Sequence, residues 1–111
     1  MSDTLAQIED KLTAQIDNLR KAFDAADDEA LREQLAGQIK AINERVLRIE
    51  NMEFNQESAE LDKSLSNINA ANAALDKSIR SIKSAADVVA KTADFLKYVD
   101  QAIEIAATLM K

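Results

Sequence analysis

Apolar side chains recur along this chain with the period of a helix. Leu5, Ile8, Leu12, Ile16, Leu19 and Phe23 follow one another at steps of three and four, while Glu9, Lys11, Asp17, Arg20 and Lys21 supply a solvated face. Large apolar residues then pause at Asp24-Ala25-Ala26-Asp27-Asp28-Glu29 before a second stripe of Leu31, Leu35, Ile39, Ile42, Val46 and Ile49, with Met52 at its end. A third stripe keeps a strict seven-residue step through Leu61, Ile68, Leu75, Ile82, Val89, Leu96, Ile103 and Met110. Steps of three and four gather residues on one side of a helix. A sustained seven-residue step marks a seam matched to another helix.

The polar residues between stripes set the boundaries. Ser2, Asp3 or Thr4 can accept the free N–H groups of a first helical turn. At the pause, either Asp27 or Asp28 caps a new helix, or the first helix runs on with Ala26 and Ala30 bridging the stripe. Carrying the Ile42/Ile49 step forward lands on Gln56 and Lys63, so the second stripe does not continue into the third. Glu53 to Ser58 is the expected reversal, with Asn55 suited to a left-handed conformation and Ser58 to a helix cap. Helices are therefore expected near 4–24, 28–53 and 57–110, the first two separate or continuous, in one all-α domain spanning 1–111. Two arms of similar length joined by a short loop predict a long antiparallel, coiled-coil-like helical hairpin.

The third stripe divides that expectation. Its companion seam positions are Leu65, Asn72, Ile79, Ala86, Ala93, Asp100 and Ala107. Beyond Ile82 these shrink to alanine, and a second apolar row appears beside them: Val88, Phe95, Val99, Ala102, Ala106 and Leu109. A second row needs a second neighbour. One helix over 57–110 would span about 80 Å and meet the other arm only once, which leaves the row for another chain to cover. The alternative is a compact four-helix bundle with a break near 84–94, favoured by the cap-like spacing of Ser84 and Asp87 and disfavoured by the unbroken seven-residue phase. Asn72 and Asp100 interrupt the seam with polar groups, and both are expected to set register by meeting polar partners across it. Gly37 costs its helix about 1 kcal/mol relative to Ala, which points to close approach of a neighbour, simple tolerance or a hinge.

Composition narrows the chemistry. With no proline and one glycine in 111 residues, the chain lacks the residues that tight turns and sheets draw upon. The net charge is −6, and the 14 basic residues are interleaved with 20 acidic ones, so no basic stripe offers a nucleic acid or an acidic bilayer a foothold. Histidine and cysteine are absent, which removes the common general base, the common transition-metal ligands and the thiol nucleophile. The carboxylates Asp24, Asp27, Asp28 and Glu29 lack the alternating spacing and glycine of a calcium loop, and capping explains them.

No catalytic, cofactor, metal or small-molecule site is expected from these residues. The reading that fits is a non-catalytic helical interaction module, forming a homodimer or docking a partner helix through Val88, Phe95, Val99, Ala102, Ala106 and Leu109. Two further classes stand beside it: a membrane-acting helical component, pore-forming or lipid-surface, and an acidic inhibitor or chaperone covering a basic site on another protein. The N-terminal residues carry no secretory pattern and no run is apolar enough to span a bilayer, so a cytoplasmic location is the default, with leaderless export equally compatible.

Overall fold

The computed structural model describes residues 3–52, 58–81 and 85–109. Its four α-helices are α1 (Asp3–Ala25), α2 (Glu29–Glu50), α3 (Ala59–Arg80) and α4 (Ala85–Leu109). The turn residues do local work at each boundary. Asp28 stands in extended geometry before α2 and its carboxylate accepts the Ala30 N–H at 3.2 Å, so the first two helices are separate. Ser58 caps α3 in the same way, its Oγ accepting the Leu61 N–H at 3.0 Å. The expected reversal at 53–57, Asn55 included, lies outside the described residues.

The arm expected as one helix over 57–110 is two helices. α3 stops at Arg80, where Ser81 leaves helical geometry at φ −117° and ψ 47°, and α4 starts at Ala85 and packs back along α3. Ile82 and Ser84 lie outside the described residues, as does Met110. The physical reason is the second apolar row. An extended arm would leave Val88, Phe95, Val99, Ala102 and Ala106 in water, whereas the folded-back arm buries all five completely. Each large side chain so buried is worth about 1.5–3 kcal/mol. The seven-residue phase survives because both helices turn the same stripe inward: Leu61, Ile68 and Leu75 on α3, Leu96 and Ile103 on α4. The result is the four-helix bundle, 46 × 23 × 16 Å with a radius of gyration of 14.3 Å, close to the roughly 13 Å of a compact chain this long.

The topology is two hairpins stacked in parallel. α1 packs on α2 and α3 on α4 across short connections, while α1 also packs on α3 and α2 on α4. Three side-chain hydrogen bonds join α1 to α3 at nearly constant spacing, Thr4 to Asp62, Gln15 to Asn72 and Asn18 to Asp76, so these two helices run the same way. α2 and α4, each antiparallel to its hairpin mate, therefore also run the same way. The core lies between the four, built from Leu5, Ile8, Leu12 and Leu19 of α1, Leu35, Ile42 and Ile49 of α2, and the α3 and α4 residues named above.

Gly37 sits within α2 on the exposed side, and a methyl group built there meets nothing within 4 Å. Close approach of a neighbour is thereby removed as its explanation, which leaves simple tolerance or a hinge. Gly37→Ala is expected to stabilise the bundle by about 0.5–1 kcal/mol, because alanine costs the helix less backbone entropy and clashes with nothing. Urea unfolding checks this, with a higher midpoint and an unchanged slope as the expected outcome.

Candidate functional site

Each helix surface that could meet a partner is fixed by what the helices already bury. The expected docking row does not face solvent: Val88, Phe95, Val99, Ala102 and Ala106 lie in the core, so the second neighbour that this row requires comes from the chain itself. Of that set only Leu109, at the end of α4, remains substantially exposed at 39%.

The two polar seam residues do sit at helix contacts. Asn72 Oδ1 accepts from Gln15 Nε2 at 2.7 Å, and Gln15, only 1% exposed, in turn accepts from Asn18 Nδ2 at 3.3 Å. Asp100 takes both ends of the Arg45 guanidinium, Nε to Oδ1 at 3.0 Å and Nη2 to Oδ2 at 3.1 Å. That hydrogen-bonded pairing holds the Arg45 pKa above its ordinary value, against the opposing pull of partial burial. Both partners keep solvent contact, so the pair is worth at most about 1 kcal/mol to stability, and its main effect is alignment. Gln15, Asn18 and Arg45 were not evident beforehand. Only Gln15 left a trace in the sequence, as a polar residue three after Leu12 and four before Leu19 on the α1 stripe.

Comparison of the hairpins reveals a second regularity. The buried residues of α3 are Leu61, Ser64, Ile68, Ala71, Leu75 and Ser78, each 56 positions after an α1 residue turned toward the core: Leu5, Ile8, Leu12, Gln15, Leu19 and Ala22. On α4 the step is 53, with Val88, Phe95, Val99 and Ala102 matching Leu35, Ile42, Val46 and Ile49. Each helix of the second hairpin thus repeats the orientation of its counterpart. Stacking two such units in the same direction buries one face of each and leaves the opposite face of each outside.

The outer faces follow from this equivalence. On α3–α4 the positions matching Gln15, Asn18 and Arg45 are Ala71, Ala74 and Tyr98. These three, with Asn67, Ala70, Lys91 and Asp94, line a shallow groove of about 300 Å³ between the two helices. Lys97 approaches the Tyr98 ring, 5.8 Å from its centroid. On α1–α2 the positions matching Asn72, Asp76 and Asp100 are Ile16, which is buried in the core, and Arg20 and Leu47, which lie on the outer face. Leu47 is 51% exposed, the most exposed large apolar side chain among the described residues. Glu9 belongs to the same face, and its pKa is raised by partial burial and by the neighbouring carboxylates of Glu50 and Asp10.

A larger concavity of about 740 Å³ opens where the α1–α2 turn meets the end of α3. Apolar Ala22, Ala26, Leu31 and Ile79 floor it, and Lys21, Asp28, Asp76 and Arg80 rim it with both signs of charge. Asp76 and Arg80 already pair at 3.0 Å, and no chemistry converges there. Among the described residues, no group of three or more His, Cys, Asp or Glu side chains is placed to hold a metal ion, and no helix is long and apolar enough to cross a membrane. Comparisons with protein-family models, curated proteins and solved structures find no match for this chain.

Two outcomes are expected. Asn72→Ala leaves the Gln15 amide nitrogen only the long contact to the main-chain carbonyl of residue 72, 3.5 Å, and should cost about 1–3 kcal/mol, whereas Gln15→Leu combined with Asn72→Leu should recover most of that loss. A double-mutant cycle by urea unfolding measures the coupling, and doubled amide resonances in the Leu/Leu variant would report the loss of a single hairpin alignment. The second concerns Glu9, whose raised pKa means that its charge opposes folding as pH climbs above the ordinary glutamate value. Glu50→Gln should lower the Glu9 pKa and stabilise the protein at neutral pH, with the gain fading at acid pH, where Glu9 takes up its proton. Carboxyl NMR titration and unfolding at the two pH values test it.

Proposed function

We propose that this chain is a non-catalytic helical interaction module that meets another protein through the outer face of α3–α4. One observation carries the reading: Ala74 and Tyr98 occupy the positions matching Asn18 and Arg45, at which α1–α2 grips the second hairpin, and here, with Ala74 exposed and Tyr98 half-buried, they line a groove open to solvent. Small residues on α3 and a ring on α4 make a groove that a helix can enter closely. Alanine at positions 70, 71 and 74 admits a neighbouring backbone, and Tyr98 offers a large contact surface with little side-chain entropy to lose. The mixed Lys91 and Asp94 charges on the groove favour a polar-rimmed protein surface over a uniformly charged polymer.

Site-specific photo-crosslinking in cells that naturally make the protein tests this. A crosslinking amino acid at Ala74, in the groove, should give discrete protein adducts, homotypic or heterotypic. The same label at Asp17, exposed on α1, should give few. Equal and diffuse labelling from both positions would remove the reading.

A further inference from the structure

We propose that this chain forms a dimer by exchanging α4: α3 and α4 of each copy run on as one straight helix, and each α4 packs into the bundle of the other copy. The ground is the phase of the buried face. On α3 the inward positions fall in two seven-residue rows, Leu61-Ile68-Leu75 and Ser64-Ala71-Ser78. Carried forward through the turn without a shift, the first row lands on Leu96 and Ile103 and the second on Thr92, Val99 and Ala106, all buried on α4. A turn places no demand on phase, because each helix can rotate about its own axis once the chain reverses. A straight helix does demand it, since a shift of one residue would swing the buried face round by about 100°.

The first hairpin supplies the comparison. Its Leu5-Leu12-Leu19 row carried forward lands on Glu33 and Lys40, both exposed, while α2 buries Leu35 and Ile42 two residues further on. Asp28 caps α2 at that break. The four positions joining α3 to α4, Ser81 to Ser84, contain neither glycine nor proline, and Ile82 keeps the seven-residue step. One turn is thus sited where the apolar phase breaks, and the other is written in residues that a helix accepts.

Exchange gives up no helix contact. Val88, Phe95 and Val99 would stand in water on a straight arm alone, but in the dimer they meet the same α2 and α3 surfaces that cover them within one chain. The pairing of Arg45 with Asp100 and the Ser78 to Asp87 hydrogen bond are likewise remade between copies. The turn ends of two bundles then meet across a two-fold axis. At that end the concavity floored by Ala22, Ala26, Leu31 and Ile79 opens beside Arg80, and its rim carries both signs of charge, so it can face its own copy as an isologous contact requires. The α3–α4 outer groove takes one wall from each helix in either form, so this inference does not rest on the interaction reading above. Heterotypic adducts from position 74 judge that reading alone.

Refolding the full chain from urea at about 1 mM and at about 10 µM, followed by size-exclusion chromatography with light scattering, is the first test. The dimer share should be larger at the higher concentration, and the mass should stop at two chains. Ser81→Ala with Ser84→Ala should raise the dimerisation constant at least about tenfold, because alanine favours the straight helix. Gly-Gly-Ser inserted after Lys83 should abolish the dimer and leave a monomer of unchanged helicity by circular dichroism. A second measurement locates α4. Arg45→Cys with Asp100→Cys, in a chain that has no other cysteine, is joined by a short bismaleimide. In the exchanged dimer the link joins two chains and shows as a doubled mass on a denaturing gel, whereas in the monomer it stays within one chain. A wild type and an alanine variant that both stay monomeric at 1 mM, or a dimer whose links all fall within single chains, would overturn the exchange.

Discussion

The bundle turns on one hydrogen bond between amides, Gln15 Nε2 to Asn72 Oδ1, at the seam of the two hairpins. Apolar burial supplies most of the folding free energy, but apolar contacts alone would tolerate the hairpins sliding by a helical turn, since leucine and isoleucine recur at every step. A nearly inaccessible amide does not tolerate it. Slipping Gln15 away from Asn72 would leave a buried polar group unpaired, at a cost comparable to a sizeable fraction of a small protein's stability. Once this alignment is set, Thr4 falls beside Asp62, Asn18 beside Asp76 and Arg45 beside Asp100. Among the described residues no buried side-chain nitrogen or oxygen lacks a partner. The polar ties thus select the one stacking in which all of them are met.

This arrangement also explains the uneven character of α4. A helix at the corner of a bundle touches two neighbours, α3 and α2, and so needs a broad apolar surface. Val88, Phe95, Val99 and Ala102 serve the core shared by all four helices, and Leu96 and Ile103 are buried beside them. The positions matching Leu96 and Ile103 on α2 are Asn43 and Glu50, which are exposed because no hairpin lies on that side. Thr92 is fully buried at the position that half-buried Ile39 fills on α2, its hydroxyl satisfied by the Val88 carbonyl one turn back at 2.8 Å. Composition within each helix therefore records which of its sides has a neighbour.

Much of this was readable beforehand. The first two apolar stripes located α1 and α2 to within a few residues, the third located the start of α3, and the caps at Asp28 and Ser58 are where side-chain chemistry requires them. The interruption of the seam at Asn72 and Asp100 likewise pointed to polar contacts between helices. The fold-back after Arg80 was only half readable. A preserved heptad is equally compatible with a straight helix and with two helices that turn the same stripe inward, and periodicity has no term for direction. The docking row was misplaced for the same reason. Val88, Phe95 and Val99 required a second neighbour, and nothing in the spacing told whether that neighbour was foreign or internal. Half-buried Tyr98 and exposed Leu47 drew no attention because single apolar residues at a surface are ordinary.

The parallel stacking has an electrostatic consequence at one end of the molecule. Placing α1 beside α3 in the same direction sets two helix N-termini side by side, and each carries a partial positive charge from its aligned peptide dipoles. Like ends repel, unlike the opposed ends within each hairpin. Asp3 lies in the first turn of α1, and Glu60 and Asp62 lie in that of α3, with Asp62 receiving the Thr4 hydroxyl at 2.8 Å across the gap between them. The Asp62 carboxylate therefore counters two macrodipoles at once. Part of the acidic excess of this chain is in that sense a requirement of its topology: a fold that aligns its helices in pairs must carry anions where they begin.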